Sequence, residues 1–94
     1  MIVCFDTKKE ALAQLSSAVH IDNTSRAQIV SGQSNPLFAE LLGSFGQRTG
    51  IYAVLNTSFN VRGQPIVNTP EEAIEVFLST GMDYLAIGDF LAEK

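Results

Sequence analysis

Thr69-Pro70-Glu71-Glu72 opens the most sharply delimited element of the sequence. A threonine ahead of a helix accepts a hydrogen bond from an otherwise orphaned N–H. Proline suits the first helical position, and a glutamate three residues after the cap reaches back over it. Ala73, Ile74, Phe77 and Leu78 follow at helical spacing and form one apolar stripe. Gly81 stops the pattern, so the spacing predicts a helix over 70–80 and a strand over Tyr84-Leu85-Ala86-Ile87. Upstream, Ile51-Tyr52-Ala53-Val54-Leu55 is apolar without alternation, which reads as a strand covered on both faces. Strand, helix and strand make a βαβ unit with a right-handed crossover. The expected class is therefore α/β, with a mostly mixed or parallel sheet. A chain of 94 residues is one small domain, or part of one, with a modest core.

The first half is less sharply marked. Met1 to Phe5 reads as a short strand, with Cys4 as a buried structural thiol. Glu10 to Leu15 has a weak helical pattern, Ala18 to Asp22 is a second short strand, and Ala27 to Val30 is extended. After a loop over 32–35, Asn35 caps a helix that starts at Pro36. Leu37, Phe38, Leu41, Leu42 and Phe45 fall on one face, and Gly50 is placed to end the helix. Gly43 and Gly46 weaken it by roughly 1 kcal/mol each relative to Ala.

Composition narrows the function classes. A net charge of -4 with six Lys and Arg residues argues against a basic nucleic-acid surface. No apolar run approaches membrane-spanning length, and no leader pattern opens the chain. The lone Cys4 excludes an intrachain disulfide and suits a reducing compartment. The expectation is a cytoplasmic protein that binds neither membrane nor nucleic acid.

The chemistry concentrates in Asn56-Thr57-Ser58-Phe59-Asn60-Val61-Arg62-Gly63-Gln64-Pro65. A strand that delivers small polar residues at its C-terminal end is a common way for an α/β sheet to place a ligand site. Arg62 and the hydroxyls of Thr57 and Ser58 suit a phosphate or carboxylate. Ser58 and Asn60, two apart in an extended chain, share a face. The glycine spacing is neither that of a P-loop nor that of a dinucleotide fingerprint. A strand followed by a plain polar turn explains the same composition. His20 and Asp22 also alternate by two, but a single histidine with one carboxylate is not a metal site, and His20 reads as structural. No Ser-His-Asp pattern is visible, so no catalytic residue and no metal ligand is assigned.

Three segments carry a resemblance. They are Leu55 to Gly63 with Pro65 and Thr69-Pro70-Glu71, His20-Ile21-Asp22-Asn23-Thr24-Ser25-Arg26-Ala27-Gln28, and Gly88-Asp89-Phe90-Leu91. In order and spacing they resemble the C-terminal domain of the O-carbamoyltransferases, enzymes that carbamoylate antibiotics and nodulation factors. The resemblance covers almost the whole chain. It implies a YrdC-like twisted sheet with at least two helices, of which residues 1–94 are the last portion, a partial domain. It also implies a share in the site where ATP, with Mg, and carbamoyl phosphate form carbamoyl adenylate. Arg26 would contact the phosphate-bearing substrate, and Ser58 and Asn60 would line the nucleotide. Thr57 and Arg62 are second choices. Two positions depart from the pattern: Asn23 stands where the family usually has glycine, and Asn68 where it often has cysteine.

Members of that family run to several hundred residues. Their N-terminal, actin-like, metal-binding domain is the implied partner, and the isolated chain is expected to be inactive. The isolated chain is expected to form a homodimer, because half of a sheet domain leaves an apolar face or strand edge uncovered. One alternative is a non-catalytic module that self-associates or docks on a partner through exposed strand edges. Another is a fragment of a YrdC-like RNA-modifying synthase, which shares the Ser58-x-Asn60 element. The acidic balance and the other two segments argue against the synthase.

Overall fold

The computed structural model describes residues 3–94. The chain divides into two units, 1–56 and 57–94.

In the first unit, β1 (Phe5–Asp6) pairs antiparallel with β2 (Thr24–Ser25), Phe5 opposite Ser25 and Asp6 opposite Thr24. Single 3₁₀ turns over Lys9–Ala11 and Ser16–Ala18 join them, so the weak helical pattern over 10–15 amounts to a turn and not a full helix. Met1 and Ile2 of the expected first strand lie outside the described residues. Val3 and Cys4 do not pair, and Cys4 is exposed, not buried. A two-residue ladder covers too little surface to bury its flanking residues. The strand expected over 18–22 is replaced by a tight turn. His20 accepts from the Asn23 N–H (2.9 Å) and donates its own N–H to the Thr24 carbonyl (2.7 Å). Asn23 takes the left-handed conformation, φ 64°, that this closure requires and that asparagine tolerates.

Helix α1 (Pro36–Thr49) is capped as its sequence dictates. The Asn35 side chain accepts from the Phe38 N–H at 3.2 Å, and Pro36 opens the first turn. Gly50 at φ 79° closes the other end by donating to the Gly46 carbonyl at 2.8 Å. The apolar face is only partly used: Phe38 and Leu42 are half-buried, whereas Leu37 is 79% and Leu41 57% exposed. Gly46 is the buried residue of the helix. The Tyr52 ring lies against it so closely that any Cβ there would overlap the ring. Ile51 to Leu55 thus packs onto α1 through Tyr52 and joins no sheet. The apolar run supplies side chains for a strand, but no neighbouring strand pairs with it, and the expected βαβ unit does not form.

In the second unit, α2 (Pro70–Ser79) stands over a hairpin of β3 (Tyr84–Ile87) and β4 (Phe90–Glu93). Thr69 Oγ1 accepts from the Glu72 N–H at 3.2 Å. Glu72 Oε2 reaches one residue further back than a capping box requires and accepts from the Asn68 N–H at 2.8 Å. The hairpin turns on two residues, Gly88 and Asp89, with Gly88 at φ 57° as a glycine-first turn demands. Ala73, Phe77 and Leu85 form the core, and Phe59, Val67, Ile87 and Ala92 pack against it. Lys94 finishes the helix: its ammonium donates to the carbonyls of Phe77 (2.6 Å) and Thr80 (2.5 Å) and lies 4.8 Å from the Phe77 ring centre. A cation there answers the partial negative charge of the helix end and the face of the ring.

The described residues are mixed α and β, with two α-helices and two small antiparallel sheets. Among the described residues the buried apolar ones are Ala73, Val76, Phe77 and Leu85. No helix among them is long and apolar enough to cross a membrane.

The two helical glycines should respond differently to alanine. Gly43 faces open space, so Gly43→Ala should raise stability by about 1 kcal/mol through helix propensity. Gly46→Ala should gain less or destabilise, because the new methyl must displace the Tyr52 ring. Thermal unfolding of both variants checks this, and equal gains would show that the Tyr52 contact is inconsequential.

Candidate functional site

The polar segment after Asn56 is a closed loop whose two legs are apolar. Phe59 and Val67 both pack on the Phe77 core, and the Val67 N–H donates to the Phe59 carbonyl at 2.9 Å. At the tip, the Gln64 N–H donates to the Val61 carbonyl at 3.0 Å, with Gly63 at φ 84°. This is a type II turn: Gly63 takes the position that needs positive φ, and Arg62 occupies the first corner. Asn60 spans the turn from inside the loop. Its Nδ2 donates to the Gln64 carbonyl at 2.9 Å and to the Val61 carbonyl at 3.3 Å.

These bonds sort the expected site residues. Asn60 is half-buried, and its two N–H donors are engaged within the loop, which leaves its carbonyl oxygen to accept. Thr57, Ser58 and Arg62 are exposed on the same loop. The segment through Thr57 and Ser58 is not a strand, so the alternating-face argument for Ser58 and Asn60 does not apply. An open groove beside the turn is lined by Val61, Gln64, Glu75, Leu78, Ser79 and Thr80. Glu75 is the charged group there, so this side of the loop is unsuited to an anion. Arg26 belongs to the first unit, exposed and directly after β2.

The turn type was open to reading from the sequence. Val61-Arg62-Gly63-Gln64 carried the signal, because glycine at the third position of a four-residue turn is the mark of type II. No group of three His, Cys, Asp or Glu side chains among the described residues is placed to hold a metal.

The His20–Arg26 segment is organised by Asp22. Its carboxylate accepts from the Thr24 hydroxyl at 2.7 Å and from the Thr24 N–H at 3.1 Å. The hydroxyl bond, then the backbone bond, hold the Asp22 carboxyl below the usual aspartate range, and the charge of His20 adds to this. The folded turn favours the ionised form. Its contribution is therefore present above the ordinary aspartate pKa and is lost as pH falls through the lowered value. An NMR titration of Asp22 should give a pKa below that of an unstructured aspartate, and Thr24→Val should move it up. A titration unchanged by Thr24→Val would contradict this reading of the turn.

A family model described as Carbamoyltransferase C-terminus matches residues 1–94. An uncharacterized protein of Methanocaldococcus jannaschii is 43% identical over 94 residues, which is all of this chain and 15% of that protein. The nodulation protein NolO of Bradyrhizobium diazoefficiens is 41% identical over 80 residues, 85% of this chain and 15% of its own. A 3'-hydroxymethylcephem-O-carbamoyltransferase of Amycolatopsis lactamdurans is 29% identical over 75 residues, 80% of this chain and 14% of its own. The chain spans about a seventh of the length of these relatives. With the match running from Met1 to Lys94, the chain belongs to the carbamoyltransferase C-terminus family.

Proposed function

We propose that this chain supplies part of the ATP and carbamoyl phosphate site of an O-carbamoyltransferase, in which carbamoyl adenylate forms before transfer to a hydroxyl. One observation carries the reading. The loop over 57–67 is braced from within by Asn60 and by backbone bonds, while Thr57, Ser58 and Arg62 stay exposed. Two hydroxyl donors and a guanidinium on one braced loop are a fitting set for phosphate oxygens. Kinship to the carbamoyltransferase C-terminus family, and to a protein named as an O-carbamoyltransferase, supports carbamoyl phosphate chemistry as the setting.

In this reading the chain's residues bind and orient. Thr57 and Ser58 donate directional hydrogen bonds, Arg62 and Arg26 supply permanent positive charge, and Asn60 braces the loop from within. Magnesium bound to ATP would screen its phosphates, and holding phosphates in place against developing charge is most of the catalysis such a loop can provide. The remaining cationic contacts, the acceptor hydroxyl and the metal-binding domain implied by the resemblance are assigned to no residue of this chain.

Calorimetric titration of the complete protein with ATP and with carbamoyl phosphate tests the reading. Arg26→Ala and Arg62→Ala each remove a charge-assisted contact and should weaken binding by about 1.5–3 kcal/mol. Ser58→Ala removes a neutral donor and should cost about 0.5–1.5 kcal/mol. Wild-type affinity for both ligands in all three variants would refute the proposal.

A further inference from the structure

We infer that Asn60 is a positioning residue for Arg62. The inference rests on the reading of the loop as a phosphate site and assigns Asn60 a different part in it from direct contact. Arg62 sits at the corner of the Val61–Gln64 turn, and the backbone at that corner sets where its side chain starts. A type II turn closed by one backbone hydrogen bond is a weak structure on an exposed loop. Here it has a second closure: both N–H groups of the Asn60 carboxamide are spent on the carbonyls of Val61 and Gln64, the two ends of the same turn. The carboxamide has a fixed base, because the next backbone bond outward, from Val67 to Phe59, joins two residues packed on the Phe77 core.

Asn60 thus links the buried core to the one cationic corner of the loop. Its half-buried position suits that link better than a place among the exposed groups, since a ligand approaching Thr57, Ser58 and Arg62 meets exposed side chains while Asn60 lies partly covered. Holding the corner in place reduces the ordering that a long, flexible arginine must undergo when it grips a phosphate. Gly63 serves the same end by a different route. At φ 84° it adopts a conformation that alanine resists, so the turn can be strained at Gly63 without touching any polar side chain.

The test is a double-mutant cycle in the complete protein, read as the affinity for ATP and its dependence on salt. Arg62→Ala should weaken binding by about tenfold or more and flatten the salt dependence, because a charge contact is lost. Asn60→Ala should reproduce most of that loss and the same flattening. The pair Asn60→Ala with Arg62→Ala should be no weaker than Arg62→Ala alone, because the two residues act as one. Gly63→Ala, which keeps Asn60 and Arg62, should also lose affinity and salt sensitivity. A merely structural role would lower the melting temperature and leave the salt dependence as in the wild type, which would overturn the inference. Strictly additive losses would overturn it too, by showing that Asn60 meets the ligand independently. If Arg62→Ala binds normally while Ser58→Ala does not, the positioning role falls and the phosphate site stands. If neither substitution weakens binding, the site itself falls.

Discussion

Burial of the Phe77 ring is the interaction on which the unit over 57–94 depends. The ring is 3% exposed and has Ala73 and Leu85 beside it in the core. Covering a phenylalanine side chain stabilises by about 1.5–3 kcal/mol, a large share of what so small a unit can muster. Each element of the unit reaches the cluster around this ring. Helix α2 carries the ring, β3 puts Leu85 beside it, Ile87 and Ala92 pack on the cluster they form, and Lys94 lies over the ring face. The loop between Asn56 and the helix reaches the cluster through Phe59 and Val67. A polar loop of this kind has no stability of its own and takes its shape from its two apolar legs.

The loop then divides its polar groups by role. Backbone bonds and the Asn60 amide satisfy one another inside it, and Gly63 supplies the one backbone conformation that a side chain would strain. What remains outward is Thr57, Ser58 and Arg62. The His20–Arg26 segment follows the same logic on a smaller scale: Asp22 spends its carboxylate on Thr24, and Asn23 takes the left-handed corner. In both cases the residues that carry the family resemblance are largely those that make a turn, and the charged residue proposed to face the ligand follows or sits within it.

Much of this was legible in the sequence where a local rule decides the outcome. Asn35-Pro36 and Thr69-Pro70 announced both helices, and both cap side chains accept as expected, with Glu72 reaching back to Asn68 and not to the cap itself. Tyr84 to Ile87 is a strand as expected, and Asn23 does adopt the left-handed backbone that makes it a tolerable stand-in for glycine. Ile51 to Leu55 failed because a strand is a relation between two segments, and an apolar run says nothing of its partner. Tyr52 settles on Gly46 instead, which also explains a glycine that had read only as a helix weakener. Ala18 to Asp22 failed because the side chain of Asp22 competed with the ladder. The Gly88-Asp89 hairpin was legible and overlooked: glycine then aspartate between two apolar runs is a recognised two-residue turn. The engagement of Asn60 was not legible, since S-x-N specifies residue types and not which donors the fold consumes.

The anchoring of the loop on the Phe77 core is the central claim, and hydrogen exchange at single amides tests it most directly. The Val67 N–H, bonded to Phe59, should exchange only when the core opens, with the same opening free energy as the amides of α2 around Phe77. The Gln64 N–H at the tip should be protected as well, through the turn that Asn60 closes. Exchange of the Val67 amide at the rate of an unprotected chain, while the α2 amides stay protected, would contradict the account.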